Sequence, residues 1–333
     1  MEGTENRVVG TGSQAFGSLG VLAVFVALAG VYWDVSWHVA IGRESFWIPP
    51  HQLIYSGTAA FFVSVVCALL LARRRAGSLR ATGRAGAGFA VGALGSIIQV
   101  SAAPLDDLWH ERYGLDVTVW SPPHLMGAAG ALIGIYGLAS ALGTSLHRGE
   151  GRGPSSAWAG INVLLLFAAA LSLSLFALGP LDFRLDRRDA LFYPLLAGPL
   201  AAIPLVAAAR YVGRFGAATA VALIYVAFRT VALGIFVGMG TFENPGPPVF
   251  VLLAALTVDL ALLGKRQGRG VLGAAILFGP ALVLGEWAFR AFLPVQNWEP
   301  LQVAASLAII SVTAAAGALA GDRLQGLMRP ERD

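Results

Sequence analysis

Residues 20–64 read GVLAVFVALAGVYWDVSWHVAIGRESFWIPPHQLIYSGTAAFFVS: two apolar runs joined by a short polar turn. The runs extend to 17–37 and 51–72, and a helix of roughly twenty apolar residues crosses a bilayer. Asp34, Trp37 and His38 stand at the end of the first run, and Pro49-Pro50-His51 opens the second. Ionisable groups at membrane depth are costly and tend to be functional. The stretch therefore reads as helix, turn, helix, with reactive side chains gathered at the turn.

The same pattern of apolar runs continues along the chain. Of 333 residues, 56% are hydrophobic and 13% charged, about half the charged fraction of a soluble domain. Ten apolar segments occur, at 17–37, 51–72, 85–105, 122–146, 156–178, 191–209, 215–238, 247–264, 271–293 and 300–320. The expected fold class is all-α: a polytopic membrane bundle of about ten transmembrane helices. The first run lacks a basic region close in front and a small-x-small cleavage site, so it reads as a retained helix. Glycine is abundant at 41 residues, and Gly88 with Gly92 forms a small-xxx-small pair suited to close helix contact.

The links alternate in character. Residues 73–84, 147–153, 210–214, 265–269 and the C-terminal tail are rich in Arg and Lys, whereas 38–50, 106–121, 179–190, 239–246 and 294–299 are acidic, aromatic and proline-rich. The second set holds only Arg43, Arg112, Arg184, Arg187 and Arg188 of the 23 basic residues. The positive-inside rule then puts both termini in the cytoplasm and the histidine-bearing turns on the outer face. A bacterial-type inner or plasma membrane, with the turns facing the periplasm, is the expected location, and lipid is the expected surrounding. The net charge of +4 reflects these loops rather than nucleic-acid binding. Cys67 is the only cysteine, so neither an internal disulfide nor a thiolate metal cluster can form.

The quoted turn has an echo in DDLWHERYGLDVTVWSPPH, residues 106–124. Asp34 matches Asp106, Trp37-His38 matches Trp109-His110, and Gly42 matches Gly114. Trp47 matches Trp120, and Pro49-Pro50-His51 matches Pro122-Pro123-His124. Gly57 and Gly130 follow at equal distance from the second histidine. The first unit is D-x3-H-x12-H and the second D-x3-H-x13-H. Helices 1–2 and 3–4 are thus expected to form a parallel repeat. The division that follows is a four-helix metal-binding unit over 17–146 and a six-helix region of unknown role over 147–333.

Asp and His four apart share one helix face. A double proline is tolerated at a helix start, where the first N–H groups have no intrahelical partner, and it fixes the height of the following histidine. An antiparallel helix pair then levels Asp34, His38 and His51, and a second pair levels Asp106, His110 and His124. Two imidazoles and a carboxylate are a common ligand set for a transition metal. The competing reading is structural hydrogen bonding. His147, in a basic loop, reads as solvated.

At these residues the sequence resembles the copper-dependent membrane monooxygenases, the family of particulate methane and ammonia monooxygenase. Their C-type membrane subunit carries D-x3-H-x12-H and N-x3-H-x13-H in the same order. The resemblance covers about residues 30–130. It implies one copper site at Asp34, His38 and His51 and a second at Asp106, His110 and His124. Asp106 stands where the family has Asn, which makes the second site more anionic or suits it to another metal. By the same resemblance the chain, alone or as a subunit, oxidises a small apolar substrate with O2, and other subunits or a homo-oligomer and a soluble electron donor are expected partners. No cupredoxin-like domain is present.

Two other classes compete. Paired histidines could ligate haem for electron transfer, although axial ligation needs no carboxylate. A metal transporter or metallochaperone is the third reading, yet transporters place ligands at mid-membrane in broken helices. Trp33, Trp37, Trp47, Trp109 and Trp120 form either an interfacial belt or cavity walls. Asp107 is either a partner for a ligand histidine or a solvated loop acid. Asp182, Asp186, Asp189, Glu243 and Glu299 read as solvated loop acids. Arg229, Asp259 and Glu286 fall inside apolar segments, where Arg229 with Glu286 reads as a structural ion pair or part of a proton path.

Overall fold

The computed structural model describes residues 10–42, 45–114, 120–147, 154–178, 189–240, 248–263, 269–293 and 297–329. Among them are ten α-helices and no strand. They are α1 (Thr11–Ala40), α2 (Pro49–Ala76), α3 (Gly83–Tyr113), α4 (Pro122–His147) and α5 (Pro154–Phe176). Then follow α6 (Phe192–Val212), α7 (Ala217–Gly238), α8 (Phe250–Leu262), α9 (Arg269–Arg290) and α10 (Pro300–Met328). Eight are long and apolar enough to cross a membrane, which makes this a multi-pass membrane protein. The two others fall short of the expected ten. The 13 residues of α8 rise only about 20 Å, less than a hydrocarbon core of about 30 Å. The 22-residue α9 carries Arg269, Glu286 and Arg290.

The chain divides into two compact units, Met1–Ala170 with Ala232–Glu243 and Met328–Asp333, and Leu171–Val231 with Asn244–Leu327. In the first unit α1 packs on α2, α3 on α4, α2 on α3 and α1 on α4. Lipid tails are as apolar as leucine, so helices in a membrane gain mainly from close backbone approach. Glycine supplies that approach here. A Cβ on Gly95 would sit 2.3 Å from the Gly134 nitrogen, and one on Gly88 would sit 2.7 Å from the Ala141 nitrogen. The expected Gly88/Gly92 pair meets α4 at Gly137, where a Cβ would sit 2.6 Å from the Gly92 nitrogen and 2.8 Å from the Gly88 oxygen. Trp158 and Asn162 of α5 both donate to the Ser18 hydroxyl, at 2.9 and 3.0 Å, and tie the start of α5 to α1.

In the second unit the buried Asp259 caps the start of α7. It accepts from the Ala218 and Thr219 amides at 3.1 and 2.8 Å and from the Thr219 hydroxyl at 2.7 Å. Those amides have no intrahelical acceptor, and a carboxylate also complements the positive end of the helix dipole. Glu286 is fully buried and lies 3.9 Å from Arg290, whose guanidinium stacks over Trp298 at 5.1 Å. Arg290, which the sequence reading did not single out as Glu286's neighbour, is therefore part of this buried charge group. Asp189 caps α6 by accepting from the Leu191 and Phe192 amides, both at 2.8 Å, so it is not simply a solvated acid. Asp182, Arg184, Asp186, Arg187, Arg188 and Glu243 lie outside the described residues.

Candidate metal centre

Each candidate ligand owes its position to a helix end. The turn after the first apolar run was expected at 38–50, but α1 continues to Ala40. The turn expected at 106–121 is helical through Tyr113. Asp34/His38 and Asp106/His110 therefore lie four apart on the last turns of α1 and α3, on one face of each helix. Pro49 and Pro50 occupy the first turn of α2, and Pro122 opens α4, so His51 and His124 fall in the first turns.

The two hairpins then bring their ligands together. Asp34, His38 and His51 each offer a donor atom within 4.8 Å of the others, and so do Asp106, His110 and His124. In the first cluster Asp34 Oδ1 lies 3.4 Å from His38 Nε2 and 3.2 Å from His51 Nε2. In the second, Asp106 Oδ2 lies 3.3 Å from His110 Nε2 and Oδ1 lies 3.3 Å from His124 Nε2. The imidazole centroids are 6.3 Å apart in the first cluster and 6.1 Å in the second, tilted by 58° in both.

These distances suit a shared cation as well as long hydrogen bonds. An N–H···O bond usually spans 2.7–3.2 Å, and the contacts run from 3.2 to 3.4 Å. Two ligands about 2.05 Å from one ion at a tetrahedral angle lie about 3.3 Å apart. The donor set of two imidazoles and a carboxylate suits a first-row divalent ion.

Outer contacts orient the donors. The helix α3 ends at Gly114, whose φ of +83° lies in a region that non-glycine residues avoid. Its amide donates to the His110 carbonyl at 2.9 Å, and its carbonyl oxygen lies 3.3 Å from His110 Nδ1. A proton on Nδ1 frees Nε2 to face Asp106, the arrangement that orients metal-ligating histidines. Gly42, at the matched position after α1, has φ +67°. The side chain of His124 is 33% exposed against 13% for His51, whereas His38 is 21% exposed against 11% for His110, so the two clusters open through different histidines.

A cleft of about 140 Å³ borders both clusters. His51 and Tyr55 of α2 line one side and Ala103, Asp106, Asp107, His110 and Glu111 of α3 the other, with Ser45 and Phe46 from the first turn. The sequence reading pointed to five tryptophans around the site, but the aromatic walls of this cleft are Phe46 and Tyr55, 5.1 Å apart. Trp47 is exposed and packs edge-on against both walls, at 4.9 Å from Phe46 and 6.2 Å from Tyr55, whereas Trp33 stacks on Phe236 at 6.1 Å and Trp120 is exposed. Tyr55 had a signal in the sequence, since it follows His51 by one helical turn. Glu111 follows Asp107 by the same spacing. Asp107 lies on α3 rather than in a loop, facing the cleft.

The chain matches no family model, no curated protein and no solved structure. Fold and site together define a class only: a multi-pass helical membrane protein with two Asp–His–His clusters able to hold metal ions.

Proposed function

We propose that this protein is a membrane copper protein, with one ion in each Asp–His–His cluster, that serves an O2-dependent oxidation of a small apolar substrate in the manner of the copper membrane monooxygenases. The observation that carries the reading is the pair of clusters with nearly the same donor spacing and ring tilt. A bound copper ion supplies one-electron redox chemistry. The chain's own residues supply the rest. Asp34 and Asp106 offset the cation's charge, the four imidazoles present Nε2, and Gly114 orients His110. Phe46 and Tyr55 narrow the cleft beside the site.

The two hairpins are read here as copies of one unit. A Cβ on Gly57 would meet the Ala27 nitrogen at 2.6 Å and the Ala23 oxygen at 2.9 Å. A Cβ on Gly130 would meet the Gln99 nitrogen at 2.6 Å and the Gly95 oxygen at 2.8 Å. These are matched positions of the two copies. The basic loops favour an orientation with both termini in the cytoplasm and the clusters near the outer face. Other subunits and an electron donor belong to the same reading.

Haem ligation fits less well. Asp34 Oδ1 stands within 3.4 Å of both imidazole nitrogens of its cluster, in the gap a porphyrin plane needs. A transport path fits less well because all six ligands lie at helix ends rather than at mid-helix. The deciding experiment is elemental mass spectrometry of detergent-purified protein after copper loading, with His38→Ala and His110→Ala in parallel. Two coppers per chain, falling to one in each variant, are the expected result. Copper-free protein with unchanged variants overturns the assignment.

A further inference from the structure

The two clusters share one cleft, yet the cleft is not built alike on its two sides. The ligands match position for position between the hairpins, whereas the other lining residues do not. Asp107 and Glu111 of α3 correspond to Val35 and Val39 of α1, and Tyr55 of α2 corresponds to Ala128 of α4. At these three lining positions the side of the cleft formed by α2 and α3 has no counterpart in the matched copy.

Two divalent ions in this arrangement repel each other four times as strongly as two unit charges at the same separation. The clusters contribute one carboxylate each, Asp34 and Asp106, which leaves two positive charges uncompensated. Asp107 and Glu111 border the cleft beside Asp106 and His110 and within the same lining as His51. Their two carboxylates complete the balance, and neither belongs to a ligand set.

Resting on the metal reading above, we propose that Asp107 and Glu111 are the charge-compensating pair that allows both clusters to fill at once. They are positioning residues in the electrostatic sense: they act on the second ion through the field of the cleft, without binding it. Both are exposed, so salt screens their effect. A valine pair, as on α1, would leave the doubly loaded state short of two negative charges.

The test is a copper(II) titration of the full chain in detergent, against a competing chelator, with stoichiometry from elemental analysis after gel filtration. The variants are Asp107→Asn/Glu111→Gln, the charge-conserving Asp107→Glu, and Glu299→Gln as an exposed acid that does not line the cleft. Wild type and the latter two are expected to bind two ions. The double variant is expected to bind the first ion as wild type does and the second about tenfold more weakly at low ionic strength. That gap should close in about 0.5 M salt, where the Debye length is only about 4 Å. A double variant that binds two ions with wild-type affinities overturns the inference and leaves the metal reading standing. So does a deficit indifferent to salt, which marks a packing defect. A wild-type chain that binds one ion or none overturns both.

Discussion

Asp106 spans two helices: its Oδ2 lies 3.3 Å from His110 Nε2 on its own helix, and its Oδ1 lies 3.3 Å from His124 Nε2 at the start of α4. Asp34 instead turns one oxygen, Oδ1, to both of its histidines. The carboxylate of the second cluster is thus divided between its partners, and replacing it by an amide leaves one side a poor match. Asp106→Asn is expected to weaken metal binding at the second cluster by at least about tenfold, while the first cluster keeps its affinity. Chelator competition on wild type and variant checks this. Equal loss at both clusters, or none at either, contradicts the division of labour.

Gly114 sets the imidazole that Asp106 addresses. Its φ of +83° with ψ 178° lies in a region essentially confined to glycine and costs an alanine about 1–3 kcal/mol. The carbonyl beside His110 Nδ1 would move with any relaxation. Gly114→Ala is expected to lower the affinity of the second cluster by about ten- to a hundredfold, the usual cost of losing an orienting contact. Thermal stability in detergent should fall by a smaller margin. Gly77→Ala, also at positive φ (+81°) but at the opposite end of α2 from His51, is the control. It is expected to cost stability without touching metal affinity.

The helix pair and the gathering of its Asp and His side chains were legible because they depend on short-range signals. Pro49 and Pro50 mark a helix start, the i, i+4 spacing of Asp34 and His38 marks a face, and both survive folding unchanged. The end of α3 was less legible. Hydropathy falls at Asp106, yet the helix runs on to Tyr113 because charged residues at helical spacing continue it past the apolar run. The cleft was not legible at all. Its walls come from α2 and α3, which belong to different hairpins, so no pattern within either copy brings Tyr55 opposite Asp107 and Glu111. The buried charges of the second unit were visible as charges but not as partners. Asp259 meets the amides of α7 some forty residues away, a tertiary contact without a local signature.

The contact of α3 with α4 rests on glycine. A Cβ on Gly95 would lie 2.5 Å from the Gly130 oxygen and 2.3 Å from the Gly134 nitrogen, both backbone atoms that cannot swing aside. Gly95→Leu is expected to push the two helices apart and cost several kcal/mol, within the upper range for overpacked sites. In thermal unfolding in detergent this appears as a large drop in midpoint. Gly234→Leu, on an exposed face of α7 with nothing within 4 Å, is expected to leave the midpoint nearly unchanged. Metal loading separates this effect from a local one: Gly95→Leu should depress the second cluster first, since α3 and α4 carry its three ligands.

Asp259 offers a test of the second unit that is independent of metal. Its two oxygens satisfy two amides and a hydroxyl at the start of α7, in a site only 3% exposed. Asp259→Ala leaves those donors buried with no replacement acceptor, at a cost of about 1–2 kcal/mol for a lost cap and more where water cannot enter. Asp259→Asn keeps one carbonyl acceptor and should recover part of the loss. Thr219→Val removes only the hydroxyl donor and is expected to cost less than Asp259→Ala. The expected order of unfolding midpoints is therefore wild type, Thr219→Val or Asp259→Asn, then Asp259→Ala. Copper stoichiometry should be the same in all four. A loss of copper in parallel with stability would mean that the second unit supports the clusters directly. An Asp259→Ala protein as stable as wild type would show that water reaches the helix start and that the carboxylate is not its essential cap.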